Sequence, residues 1–421
     1  MFQQFLKNGK TIYLNDRHEE VSHGEPRCRI YDQKILSLLD RNDFAIFGER
    51  INPFLWNYYR SLGLAEINPK NIFYADSYLE YPSITKSVLA DESLCKELKQ
   101  NNIDFLIPYF ESIDTETLAK KINAKLLRSA KFTEWINNKT NFRKILKELK
   151  IPMIPGYQTN LKKAKNHYKI LKKSGFQKVV LKIERSVSGI GVFIVEKEKE
   201  LHECLEKYFN QEEKFVLEGF IENVQHSPNF QYFISKKNIE FITTTDQLIG
   251  KDGLFYSGNL YPSFSVNEPD VFDAINNKSR KICKRLQDRQ CFGLVGIDYI
   301  VTKQRKVYPV EANVRLNDST SPHLIIKKLF NKQKENISWI FETYYFEKPI
   351  SFKDLFQKFN YFIKKKGKYG VFPLCVDLME EMNEGQFIII SKNLKGVKDL
   401  KKEFLKFASN KDITEVFRSI R

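Results

Sequence analysis

The chain has little of what usually announces a chemistry. It contains six cysteines (Cys28, Cys95, Cys204, Cys283, Cys291 and Cys375) and no CxxC pair. Scattered thiols fit a reducing cytoplasm better than a secreted disulfide framework. The six histidines, at positions 18, 23, 167, 202, 226 and 323, show no HxxxH or related spacing, which argues against a zinc centre. No Ser–His or Cys–His pair stands out for nucleophilic catalysis. No apolar run approaches the roughly 18 residues of a membrane helix. The opening residues MFQQFLKNGK lack the apolar stretch of a signal peptide. A Walker A loop, a dinucleotide fingerprint, internal repeats and low-complexity linkers are missing as well.

What remains is the composition of an ordinary globular protein, 42% hydrophobic and 29% charged over 421 residues, which is enough chain for two or three domains. The net charge is +17, from 69 Lys+Arg against 52 Asp+Glu. The excess is mostly lysine spread along helical stretches such as 162–173 and 395–406. That pattern reads as a solvated surface and argues against nucleic acid. It also sets up a field that steers anions such as nucleotides.

Strand-like and helix-like segments alternate in the first part: strands at 44–47, 72–74 and 105–108, then a helix over 132–150. The alternation predicts a parallel α/β layer. Ile151-Pro152-Met153-Ile154-Pro155-Gly156 is a breaker cluster that reads as a linker. A small α+β module follows, with strands at 179–183, 192–195 and 215–218 and a helix over 198–208. Further strands are expected near 231–234 and 239–244, then a helix over 274–288. The tail past Lys332 carries strand-like 369–377 and 386–391 and a basic final helix.

The segment 294–313 reads as a hairpin: two β-branched and aromatic runs split by Thr302-Lys303-Gln304-Arg305-Lys306. A turn centred between Gln304 and Arg305 sets Asp298 opposite Glu311, with β-carbons about 4.5–5.5 Å apart. Like charges so placed destabilise a sheet unless something neutralises them. Asn313 shares the face of Glu311. Two carboxylates and an amide oxygen form a hard oxygen site suited to Mg²⁺ and a polyphosphate. A solvated hairpin with a shifted register is the open alternative.

Strand residue Lys182 leads into Ser186, Ser188, Gly189 and Gly191, and a second strand follows. Small residues there let backbone N–H groups approach an anion, and Lys182 adds a point charge; a plain hairpin loop is the alternative. Downstream, Glu218 and Phe220 leave an apolar strand, an arrangement that flanks an adenine or simply ends a surface strand.

These elements in this order resemble the ATP-grasp superfamily over about 44–322: Lys139 in a helix before a breaker, Lys182 with its small-residue loop, Glu218 at the exit, then Asp298, Glu311 and Asn313. Shorter runs sharpen the likeness toward the pheganomycin-type peptide ligases: Ser227-Pro228-Asn229, Thr245-Asp246-Gln247, Tyr256-Ser257-Gly258, Gly293-Leu294-Val295-Gly296-Ile297-Asp298 and Glu311-Ala312-Asn313-Val314-Arg315. The resemblance implies an ATP-grasp fold of α/β and α+β type. A pre-ATP-grasp α/β domain would span 1–130, a small lid subdomain 131–222, and an antiparallel-sheet subdomain with a C-terminal extension 223–421. It implies ATP and Mg²⁺ as cofactors. Lys139, Lys182, Ser186, Ser188, Gly189 and Gly191 would contact the nucleotide, Glu218 and Phe220 the adenine, and Asp298, Glu311 and Asn313 the metal. Arg315, with Lys182, would stabilise the transferred phosphoryl group. Asn229 stands where many relatives bind ribose with glutamate. Asp246 and Gln247 match a motif without an assigned role.

The implied reaction joins a carboxylate to an amine or peptide acceptor in the cytoplasm, releasing ADP and phosphate. A ligase acting on amino acids or a protein tail, and a non-catalytic nucleotide-binding scaffold, are the alternatives. The run after Arg315, Leu316-Asn317-Asp318-Ser319-Thr320-Ser321-Pro322, departs from the family by having no glycine, with Ser321 where histidine is common.

Overall fold

Three sheets carry the chain in a computed structural model, which describes residues 9–17, 31–75, 80–81, 83–184, 191–209, 214–250, 256–330 and 336–409. The first is parallel. It contains β1 (Thr11–Leu14), β2 (Phe44–Phe47), β3 (Ile72–Tyr74) and β4 (Phe105–Pro108) in the order β3-β2-β1-β4. Strand β1 was not expected from sequence: four residues behind a polar start give too short a pattern to register. It is nonetheless buried along its whole length at the centre of the layer.

The second sheet is antiparallel, in the order β5-β8-β6-β7, from β5 (Gly156–Thr159), β6 (Val179–Ile183), β7 (Val192–Val195) and β8 (Phe215–Gly219). Helices Leu161–Lys173 and Glu198–Tyr208 cover one face and bury Leu171, Leu201 and Leu205 against Leu181 and Leu217. The breaker cluster at 151–156 therefore leads straight into an edge strand. The helix expected over 132–150 is two helices, Ala130–Ile136 and Lys139–Glu148. Asn138 separates them, its side chain accepting from the N–H groups of Thr140 and Asn141. An asparagine that satisfies first-turn donors starts a new helix.

The third sheet has nine strands: β14 (Val307–Asn313), β13 (Gly293–Thr302), β10 (Pro228–Ile234), β11 (Ile239–Ile249), β12 (Tyr256–Tyr261), β15 (Ser338–Tyr345), β17 (Glu384–Ser391) and β16 (Gly370–Cys375) in that order, with β9 (Val224–His226) paired to β13. The tail thus extends the same sheet. Its aromatic residues pack on the helix Pro53–Ser61: Tyr59 stacks on Phe372 at 5.3 Å, and Tyr58 meets Phe352 and Phe356 edge-on. One apolar core consequently runs from Tyr13 and Phe47 through to Phe372 and Ile389. The architecture is α/β followed by α+β, as the sequence pattern predicts. No helix of the described residues is long and apolar enough to cross a membrane.

A buried clasp fastens the parallel layer to the large sheet. Arg128 Nε donates to Glu111 Oε2 at 2.6 Å, and its Nη1 donates to the carbonyls of Phe292 and Leu294. Both side chains are under 5% exposed. Removing one partner of such a pair strands the other charge, which typically costs about 3–5 kcal/mol. Arg128→Met is expected to lower unfolding stability by that order, measured by denaturant titration. A loss under about 1 kcal/mol would show that the clasp is not holding the layers.

Candidate active site

The hairpin between β13 and β14 sets the geometry. Its turn is tighter than expected. Thr302 N–H donates to Lys306 O, Arg305 N–H to Thr302 O, and Arg305 takes φ +61°. The strands therefore start one residue out of the expected register, with Tyr299 opposite Pro309. Val310 is then an extra residue, a β-bulge, and beyond it Asp298 lies opposite Glu311 and Gly296 opposite Asn313. The two acids face each other, but through a bulge that corrects a three-residue loop rather than through a turn centred between Gln304 and Arg305.

Their electrostatics differ. Burial and the neighbouring Glu311 push the Asp298 carboxyl up to about 7. Burial acts the same way on Glu311, but Lys139, Lys182 and Arg315 outweigh it and hold that carboxyl below its ordinary value. Lys139 Nζ lies 3.5 Å from Glu311 Oε2. Burial depresses the Lys139 ammonium, with Glu311 opposing.

Side-chain amides surround Asp298. Asn229 Nδ2 donates to Oδ1 at 2.5 Å, Asn313 Nδ2 donates to Oδ2 at 2.8 Å, and Gln247 bonds it as well. Asn229, Asp298 and Glu311 are register partners across β10, β13 and β14, one row of the sheet. Asn229, the residue read against ribose, thus bonds Asp298, and Gln247 gains a place beside it. Asp246 points elsewhere: its carboxylate accepts from Phe264 N–H and Ser263 Oγ. Among the described residues no cluster of three His, Cys, Asp or Glu forms a metal site. The donor set is two carboxylates with amides.

The small sheet supplies the opposite wall. Lys182 Nζ lies 2.5 Å from Glu218 Oε1, and Arg143 Nη1 lies 2.8 Å from Glu218 Oε2. Arg143 also donates to the carbonyls of Ile154 and Gly156. Sequence reading missed Arg143, although it sits four residues after Lys139 and so on the same helix face. Phe220 N–H donates to Lys178 O, and the residue lines the cleft between the walls. Gly191 has φ +76°, and its carbonyl accepts from Ile183 N–H, closing the β6–β7 hairpin. Ser186, Ser188 and Gly189 lie outside the described residues.

Between these walls is a cleft of about 410 Å³, the size of a nucleotide or cofactor pocket. Ile154, Val180, Val192 and Phe220 line one side, Ile300 and Val310 the other, and Lys139, Lys182, Asp298 and Glu311 stand where the walls meet. Beyond them the cleft continues past Arg315 to Asp318, Tyr256 and Asn259. The glycine-free loop after Arg315 is ordered by Asn317, which sequence reading also missed. Its Nδ2 donates to Arg315 O at 2.9 Å, and Thr320 Oγ1 accepts from its N–H. Asn317 packs on Gly296, where an added Cβ would come within 2.6 Å of Asn317 Cγ.

With this geometry in place, residues 163–313 match the model of the family described as L-aspartate–L-methionine ligase, ATP grasp. The chain is 26% identical over 189 residues to the [butirosin acyl-carrier protein]–L-glutamate ligase of Niallia circulans, covering 44% of each chain. It is 26% identical over 179 residues to the D-alanine–D-alanine ligase of Thermosipho africanus, covering 40% of this chain and 47% of the relative. The match thus spans less than half the length of these curated relatives. A biotin carboxylase from Campylobacter jejuni, solved as a complex with β,γ-ATP, superposes with a TM-score of 0.62 at 15% identity, over 96% of this chain and 92% of its own. The fold is thus the one seen in ATP-grasp proteins, and the family match falls on residues 163–313, which include Lys182, Glu218, Asp298, Glu311 and Asn313.

Gly296 and Asn317 can be tested as a pair. Gly296→Ala forces the Asn317 amide to move, an overpacking that costs about 1–3 kcal/mol. In an Asn317→Ala background the same substitution is expected to cost at least about 1 kcal/mol less, read from a double-mutant cycle of unfolding free energies. Strict additivity would show that the two residues do not share the space.

Proposed function

We propose that the protein is an ATP-dependent carboxylate–amine ligase that forms an amide (peptide) bond through an acyl phosphate and releases ADP and phosphate. One observation carries the reading. A buried carboxylate, Asp298, faces a partly exposed one, Glu311, at the end of a nucleotide-sized cleft, and Lys139, Lys182 and Arg315 hold Glu311 ionised. Such a pair is costly unless a cation enters between its members. Asp298, Glu311 and the Asn313 amide offer hard oxygens for Mg²⁺, with phosphate oxygens and water completing the shell. When bound, Mg²⁺ would neutralise phosphate charge during transfer.

The chain's own residues do the rest. Ile154, Val180 and Phe220 would hold the adenine, with Glu218 near its edge. Lys139 and Lys182 would take the phosphates, drawing on the charge they now share with Glu311 and Glu218. Arg315 would meet the γ-phosphoryl group as its bond to ADP breaks and a substrate carboxylate oxygen bonds phosphorus. The amine then attacks the carbonyl carbon and phosphate leaves. Residues 131–222 would act as the lid, excluding water that would hydrolyse the intermediate.

The finer reading, a peptide as acceptor, draws on the motif runs from Ser227 to Arg315. The relatives' names also point to amino-acid ligation: aspartate, methionine, glutamate and alanine appear among them. A peptide acceptor needs a longer groove than an amino acid does, and the tail is one source of chain for it. Its strands continue the sheet and its rings pack on Pro53–Ser61. A non-catalytic scaffold has no need of an intact acid pair.

Two measurements test the proposal. Glu311→Gln is expected to abolish Mg²⁺-dependent ADP release. It should not raise stability without ligand, because the substitution strips a counter-charge from buried Lys139. Turnover at ordinary Mg²⁺ would sink the metal assignment. The pH dependence follows from Asp298. Its raised carboxyl holds a proton more tightly in the folded state, so its contribution to ligand-free stability falls as pH rises from about 4 toward 7. Mg²⁺ must displace that proton. Nucleotide affinity with Mg²⁺ is therefore expected to fall by up to about tenfold per unit below pH 7. Without Mg²⁺ the slope should be smaller, set by the terminal phosphate's own ionisation, and equal slopes in both titrations would remove Asp298 from the site.

A further inference from the structure

The cleft does not end at Arg315. Asp318 lies on its wall, and behind Asp318 are two cations from the parallel layer. Arg17 Nη1 and Lys34 Nζ both approach the same oxygen, Oδ1, at 3.4 and 3.2 Å. Oδ2 accepts no hydrogen bond from the described residues. Exposure divides the group in the same way: the Arg17 and Lys34 side chains are 6% and 5% exposed, Asp318 22%. Burial opposes ionisation of Asp318, but Lys34, Arg17 and Arg315 outweigh it and hold the carboxyl far below its ordinary range. Aromatic faces fix the cations. Arg17 lies over Tyr31 and Tyr109 at 5.0 and 4.6 Å, and Lys34 lies over Tyr31 at 4.1 Å. The topology singles out the same place. The strand order reverses between β1 and β4, and Arg17 and Tyr109 follow the carboxyl ends of those two strands. Crevices at such switch points bind ligands in parallel sheets.

A fixed carboxylate with one oxygen turned to a cleft suits an ammonium, and Arg315, three residues earlier, suits a carboxylate. We propose that Asp318 binds the α-ammonium of the acyl donor, which is a free α-amino acid whose carboxylate is presented to Arg315. This rests on the ligase reading. Arg17 and Lys34 are positioning residues that aim and hold Asp318. In the step so arranged, a carboxylate oxygen of the amino acid bonds the γ-phosphorus, the bond to ADP breaks, and the ammonium is retained unchanged.

The test uses the full chain with ATP, Mg²⁺ and hydroxylamine as a general acceptor, reading hydroxamate and ADP. The donors are the common L- and D-α-amino acids, their N-acetyl derivatives, and simple carboxylates without an amino group. One or more amino acids should be activated, and acetylating the amine should lower kcat/KM at least tenfold. Asp318→Asn should raise the amino-acid KM at least tenfold while the KM for ATP stays within twofold. Lys34→Met should raise the amino-acid KM too, and Lys34→Arg should restore it. N-acetyl donors used as well as the parents, or an unchanged KM in Asp318→Asn, would overturn the assignment. Activation only of carboxylates lacking an amine overturns it while leaving the ligase reading intact. No activation of any carboxylate, with Mg²⁺ and ATP bound, removes the ligase reading itself.

Discussion

Two acids held face to face in one sheet are the constraint around which the rest is arranged. Backbone pairing between β13 and β14 sets Asp298 against Glu311, and neither strand can shift without flipping its side chains to the other face. The structure therefore splits the burden. Amide donors from Asn229, Asn313 and Gln247 surround Asp298, which keeps its proton most readily. Cations from elsewhere in the chain are brought to Glu311, which stays charged. That division requires residues from β10, β11, the helix Lys139–Glu148 and the small sheet to meet at one spot. Much of the topology can be understood as what delivers them there.

The walls of the cleft differ in how they are held. The acid pair sits in a nine-stranded sheet clasped to the parallel layer by Arg128 and backed by a shared core. The small sheet has a core of its own. The helix Lys139–Glu148 packs its apolar face on the large sheet and bridges the two walls through charges: Lys139 reaches Glu311 and Arg143 reaches Glu218, which also pairs with Lys182 inside the small sheet. Contacts between charges are exchangeable for contacts to a charged ligand, whereas apolar packing is not. The wall carrying the lysines is the one whose partners a polyphosphate can replace.

Sequence alone disclosed the parts of this design that depend on local pattern. The alternation in the first part, the strands of the small sheet and the facing of Asp298 and Glu311 all rest on short periodic runs. It failed where a structure depends on neighbours distant in the chain. Strand β1 is too short to register until β2 and β4 flank it. The bulge at Val310 was invisible because the loop error and the bulge cancel at residue 298. Arg143 was legible from its spacing to Lys139, but only Glu218, 75 residues on, gives it a purpose. Arg17 and Lys34 meet Asp318 across about 300 positions, and no motif spans that gap.

The shared core has a consequence for how the protein is made. Helix Pro53–Ser61 is completed early, yet the rings that cover it, Phe352, Phe356 and Phe372, belong to the tail. At ribosomal rates of about 5–20 residues per second, its aromatic face waits roughly 15–60 s for its cover. Over that interval the nascent chain shows an apolar surface on a layer whose other elements are already synthesised. The last quarter of the polypeptide is thus what makes the first quarter safe in a crowded solution. Premature termination anywhere before Phe352 would leave a sticky fragment rather than a smaller working domain.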